Sequence, residues 1–184
     1  MILELKHGTM LYHGSYCEVR TPDISKCRQY KDFGRGFYLT TDLDQAKKFA
    51  QISHRKAVEN GLTIDMDKYV SCFEYTDNPE LSIKIFETAD IEWLHCVVAH
   101  RRKKLFTDIT ETMRQIDVIG GKIANDDTNM TITAYIIGTF GQPGTSQADN
   151  LCISLLLPER LKDQYCFRTQ AALNTLAFRR CIKL

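Results

Sequence analysis

A chain of 184 residues, 43% hydrophobic and 26% charged, can bury a sizeable core and needs no second domain, so residues 1–184 are read as one domain. With 24 Lys and Arg against 23 Asp and Glu the net charge is +1, which argues against a bulk electrostatic footprint for nucleic acid or an anionic membrane. Seven cysteines, an odd number with no CxxC pair and no close His–Cys metal spacing, argue against a disulfide scaffold or a zinc site and point to a reduced, intracellular setting.

No apolar stretch reaches the roughly 18 residues of a membrane span. The opening Met1-Ile2-Leu3-Glu4-Leu5-Lys6 has no charged leader followed by an apolar core and a cleavage site. A cytoplasmic protein is the expectation, although an effector exported by another route would have the same features.

In chain order, Leu11-Tyr12-His13-Gly14-Ser15 is an apolar lead-in ending in an isolated His-Gly. The His13 ring can exchange a hydrogen bond with a ribose hydroxyl, and Gly14 lets main-chain N–H and C=O groups approach a flat amide with no Cβ in the way. In Asp32-Phe33-Gly34-Arg35-Gly36-Phe37-Tyr38-Leu39-Thr40-Thr41, a Gly-x-Gly turn runs into an aromatic strand. Tyr38 there offers a face that can stack on a planar ring. Each segment also reads as something ordinary: a turn histidine, and a turn followed by a strand with Phe37 and Leu39 on one face and Tyr38 and Thr40 on the other.

Asp42 caps a helix with Gln45 three residues on, and Leu43, Ala46, Phe49, Ala50, Ser53 and Ala57 share one face until Asn60-Gly61 stops it. Tyr69 to Tyr75 and Ser82 to Phe86 read as strands. Ile91, Leu94, Val97 and Val98 mark the apolar face of a helix over 89–103, with Trp93 in the core. The basic run His100-Arg101-Arg102-Lys103-Lys104, and Arg179-Arg180 with Lys183, read as solvated helix ends that complement the helix dipole.

Asp117-Val118-Ile119-Gly120-Gly121 reads as a buried strand followed by a turn. Asn125-Asp126-Asp127 is a turn and N-cap before a helix containing Met130, Ala134 and Ile137 and stopped by Gly138, with metal or acceptor binding the lesser use of those polar residues. Asp163-Gln164-Tyr165-Cys166-Phe167-Arg168-Thr169 opens a further strand. No phosphate-loop motif, Ser-His-Asp order or paired-carboxylate spacing is present.

The first two segments, with Asp42 to Ala50, resemble the NAD-binding half of ADP-ribosyltransferases of the diphtheria-toxin and PARP type, whose His and Tyr head a His-Tyr-Glu triad. Residues 9–50, then Asp117 to Asp127, then Asp163 to Thr169 with a helix beyond it, resemble the bacterial DUF3990 family. That resemblance implies an α+β fold: an ADP-ribosyltransferase-like split mixed β core, mainly antiparallel, with flanking helices and a cleft between the strands of His13 and Tyr38.

It implies NAD as co-substrate and no metal, with NAD held by His13, Gly14, Ser15, Gly34, Arg35, Gly36, Tyr38 and Thr40. His13, Tyr38 and Gln164 are the catalytic set and should line one pocket. The implied activity is mono-ADP-ribosyl transfer to an unidentified protein or nucleic acid, by a toxin paired with a small antitoxin.

Gln164 stands where the pattern has Glu, and an amide can orient a ribose but cannot ionise or act as a general base. Asp163 points to the other strand face, and Gln170 replaces Gln164 only if the register is misread. Glu at position 164 is expected to preserve or raise NAD cleavage. The alternative is a catalytically silent ligand-binding or interaction module on the same fold. An RNA-binding protein is a more distant reading, disfavoured by the near-neutral charge.

Overall fold

The computed structural model describes residues 4–63, 65–102, 104–123, 126–157 and 161–184. Two sheets face each other across an aromatic core. Strands β1 (Met10–Ser15), β3 (Tyr69–Tyr75) and β7 (Leu176–Lys183) form one antiparallel sheet in the order β1-β3-β7. Strands β2 (Phe37–Leu39), β4 (Ile83–Ile85), β5 (Val118–Lys122) and β6 (Asp163–Phe167) form the other, in the order β2-β6-β5-β4. Among the described residues, only the β4–β5 pair is parallel. The fold is α+β with a split, mainly antiparallel core.

Strand alternation explains the layering. Leu11, Phe73 and Tyr75 of the first sheet meet Phe37, Leu39, Val118, Tyr165 and Phe167 of the second, with Phe37 edge-on to Phe73 at 5.7 Å and Tyr75 against Phe167 at 6.2 Å. Val70 and Cys72 face the other way, onto Ala46 and Ala50 of helix α1 (Leu43–Glu59). Buried on both faces, β3 has almost no exposed position. The outer face of the second sheet packs Ile119 and Cys166 against Phe33, Trp93, Leu94 and Val97. Helix α2 (Ile91–Arg101) lies there, and α4 (Asp126–Ile136) and α5 (Ser146–Leu156) add Ile132, Tyr135 and Cys152 to the same cluster.

Asp42 caps α1, its Oδ1 accepting from the Gln45 N–H at 3.0 Å, a contact worth about 1 kcal/mol. The helix ends at Asn60 before Gly61 at φ +66°. Its buried stripe is Gln45, Ala46, Ala50, His54 and Ala57, so His54 takes the place expected for Ser53. Along α2, Trp93, Leu94, Val97 and Val98 are buried as expected, whereas Ile91 is 37% exposed.

Two expectations are corrected. Gly120 and Gly121 continue β5 instead of turning, because the strand is crowded on both faces: a Cβ at Gly120 would sit 2.6 Å from Ile85 Cδ1, and one at Gly121 3.0 Å from Phe33 Cζ. The helix expected beyond Thr169 is present as the short α6 (Gln170–Leu173), and the chain then returns as β7. Arg179 and Lys183 therefore lie on a strand, paired with Glu74 and Asp67, and not at a helix end. Lys103, Asn125 and the side chains of Asp126 and Asp127 lie outside the described residues. The stop at Gly138 is present, at φ +83°.

Candidate functional site

The two sheets meet at one antiparallel bridge, where Tyr12 N–H donates to the Thr40 carbonyl at 2.8 Å and Thr40 N–H to the Tyr12 carbonyl at 3.1 Å. Main-chain groups two residues apart in a strand point the same way. A continuing ladder would therefore join Gly14 to Tyr38. The ladder stops instead, because the His13 ring occupies that place, with Nδ1 2.8 Å from the Tyr38 carbonyl oxygen and the imidazole 4.3 Å from the Phe37 ring.

A carbonyl only accepts, so Nδ1 carries the proton and Nε2 keeps its lone pair. Burial holds the His13 pKa below the usual 6.5 despite the bond to Tyr38, so the ring is neutral at pH 7. The Gly14 N–H and C=O point to the same side as those of Tyr12, toward β2. No described residue outside the β1–β3 ladder bonds to them.

Gly14 also has a packing role that its expected ligand role did not anticipate. A Cβ there would fall 2.0 Å from the Ala46 carbonyl oxygen and 2.6 Å from the Ala50 nitrogen, so α1 lies directly on the β1 main chain. Ser15 is buried, with its hydroxyl 3.9 Å from Cys17 Sγ. Thr40 is buried too and accepts from the Asp42 N–H at 3.1 Å.

Tyr38 ties its own turn. Its hydroxyl donates to the Gly34 carbonyl at 2.8 Å and accepts from the Phe33 N–H at 2.9 Å, and burial pushes the phenol well above 10. Gly34, at φ +78°, lies over His100, and a Cβ on Gly36 would come within 2.4 Å of Cys166 Sγ. Arg35 is spent on the carbonyls of Ile24 at 3.0 Å and Ser25 at 2.8 Å, which clamps the turn to a 3-10 turn over Ile24–Lys26. Tyr38→Phe should leave the Gly34 carbonyl and the Phe33 N–H unpaired. The expected loss is about 1–3 kcal/mol, read from the urea midpoint, with the aromatic face retained.

Tyr38 lies opposite Cys166 in the β2–β6 register, so Gln164, two residues along, projects from the same face. Gln164 is 5% exposed, and its Nε2 donates to Asp32 Oδ2 at 2.8 Å. Asp32 Oδ1 accepts from Arg101 Nε at 2.9 Å and Nη2 at 2.6 Å. Arg101 is thus turned inward, contrary to the solvated end expected of its basic run. Asp163 pairs with Lys122 at 2.8 Å, on the other face as expected, and Gln170 is an exposed α6 residue bonded to Asn174.

The three side chains expected to line one pocket are not on one face of the sheet. Tyr38 and Gln164 share the face toward α2, whereas the His13 ring lies on the inner face and reaches Tyr38 through its carbonyl. Surface depressions lined by Thr76, Asp77, Asn78, Ala171, Asn174 and Thr175, and by Arg102, Lys104, Leu105, Ile136 and Ile137, include none of the three.

Asp32 is the site residue that the sequence reading passed over. Beside it, Lys31 is held below the usual lysine range by burial and by the like charges of Lys56, Arg28 and Arg101, against the opposing pull of Asp32. Among the described residues no group of three His, Cys, Asp or Glu could hold a metal ion, and no helix is long and apolar enough to cross a membrane.

Burial lowers the pKa of His100 as well as that of His13, both from 6.5. Each ring binds its proton less readily folded than unfolded, so their contribution to stability is complete above about pH 6.5 and is lost as the pH falls below it. The carboxylates of Asp23, Asp42 and Asp67, lowered from 3.8, act in a separate and more acid window. Both imidazole Cε1–H resonances should titrate with midpoints below 6.5, and the urea midpoint should fall between pH 7 and pH 5.

A family model described as protein of unknown function, DUF3990, matches residues 9–178. No curated protein and no solved structure matches the chain.

Proposed function

The chain belongs to the DUF3990 family, and from the edge of β2 we propose that it is an NAD-dependent mono-ADP-ribosyltransferase, acting in the cytoplasm as the toxin of a pair with a small antitoxin. The observation that carries this reading is the interrupted ladder: a main-chain donor and acceptor on Gly14 left open beside a neutral imidazole. A nicotinamide carboxamide offers the complementary acceptor and donor. A ribose hydroxyl can donate to His13 Nε2, and the Tyr38 ring can stack on the pyridinium for roughly 0.5–1.5 kcal/mol beyond burial. Lys31, with Lys56 and Arg28 near it, suits the pyrophosphate.

In the reaction the bond between ribose C1′ and the nicotinamide nitrogen breaks, and its electron pair leaves with nicotinamide. Positive charge develops on the ribose, and an acceptor oxygen or nitrogen bonds to C1′ as its proton is lost. Preorganised acceptors around that ribose stabilise the developing cation.

The amide at 164 favours a second reading, a binding module without turnover. Incubation with labelled NAD and lysate, followed by nuclease or protease, separates the two. The transferase leaves label on a macromolecule that one digestion releases, whereas a silent module leaves none.

A further inference from the structure

Gln164 is the one member of the site whose chemistry falls short, since a neutral amide faces a reaction that develops positive charge. A carboxylate paired with Arg101 lies one hydrogen bond away. Asp32 is 8% exposed, and its two oxygens are divided, Oδ1 taking both Arg101 donors and Oδ2 taking the Gln164 amide nitrogen at 2.8 Å. An amide has one donating end and one accepting end. With the nitrogen committed to a carboxylate, which can only accept, the oxygen is the end left for a ribose hydroxyl.

We propose that Asp32 is the positioning residue of this site, holding Gln164 with its oxygen toward the nicotinamide ribose and polarising that amide through the hydrogen bond. This rests on the transferase reading above. Asp32 does not touch substrate; it acts through Gln164. The carboxylate of this arrangement lies on the turn before β2, with an amide as the intermediary.

The arrangement reverses the simple expectation for a Glu at position 164. A carboxylate there would stand against the Asp32 carboxylate, and two such groups cannot both ionise in a buried site. Gln164→Glu alone should therefore not raise NAD cleavage. Asp32→Asn must keep its oxygen on Arg101, so its NH2 group faces Gln164 and forces that amide to rotate, offering the ribose a donor where an acceptor is needed. The double variant D32N/Q164E restores a donor–acceptor pair and moves the charge one side chain closer to the substrate.

The test is a cycle of the four proteins, each checked for folding by circular dichroism and for NAD binding by calorimetry, with nicotinamide release as the rate. D32N should lower kcat at least tenfold with KM within about twofold, and D32N/Q164E should return kcat to the wild-type level or above. A buried ion pair that merely fastens the turn to α2 predicts otherwise: D32N equal to wild type once folded, or a double variant at least as slow as the slower single. Either result overturns the proposal and leaves the transferase reading standing.

Wild type that neither binds NAD nor releases nicotinamide overturns both. Should D32N not fold, the folded double variant decides alone, by a kcat at wild-type level or one reduced tenfold. Should neither fold, the wild-type Gln164 NH2 protons decide: they stay slowly exchanging by NMR when NAD binds, and loss of that protection overturns the proposal.

Discussion

Replacing His13 by alanine is expected to slow nicotinamide release from NAD at least thirtyfold, about 2 kcal/mol of lost transition-state stabilisation. The imidazole has two tasks in the structure. Its Nε2 is the acceptor left free by the bond from Nδ1 to the Tyr38 carbonyl, and its ring is the wedge that stops the β1–β2 ladder after Tyr12 and Thr40. Without the ring, the Gly14 N–H can close on the Tyr38 carbonyl, and the groups that would hold the carboxamide become occupied. The loss should therefore appear in both kcat and KM, in a protein whose urea midpoint is little changed. A kcat/KM within threefold of wild type would contradict this assignment.

Gly14→Val is expected to destabilise the fold by more than about 3 kcal/mol, read from urea or thermal unfolding. The obstacle is main chain rather than a flexible side chain, with the new Cβ placed 2.0 Å from the Ala46 carbonyl oxygen. Helix α1 would have to lift from β1, uncovering Ala46, Ala50, Val70 and Cys72 together. Gly61→Ala is the instructive contrast: nothing lies within 4 Å of the added carbon, and only the φ of +66° opposes it. Its cost should stay near 1 kcal/mol. A Gly14 variant as stable as wild type would show that α1 is not seated where the structure has it.

The parts of the fold legible in the sequence are those set by local signals. Asp42 with the small residues Ala46, Ala50 and Ala57 specifies α1, and the dense apolar run Tyr69 to Tyr75 specifies β3, because cap chemistry and periodicity act over a few residues. Strand β7 was hidden by a bulge. Its register against β3 shifts between Cys72 and Phe73, which leaves Arg179 and Arg180 both exposed and breaks the alternation that would mark a strand. Gly120-Gly121 imitated a turn because close packing on both strand faces requires the same residue type as a turn does.

At the site, His13 and Tyr38 stood out from their short motifs, and the structure joins them directly. Asp32 did not, since its partner Gln164 is 132 positions away and a lone Asp before a Gly-x-Gly turn carries no signal of its own. Arg101 was obscured in the same way. Within a run of basic residues its sequence neighbours suggest solvent, and only the fold turns it onto a buried carboxylate. Arg35, which the resemblance sets against NAD, bonds in the structure to two carbonyls of its own loop.

NAD cleavage at the edge of β2 is tested most directly by nicotinamide release from the purified protein beside folded His13→Ala and Tyr38→Ala variants. Wild type should release nicotinamide as NAD disappears, with each variant slower by tenfold or more. Equal background rates in all three proteins, each shown to be folded, would contradict it.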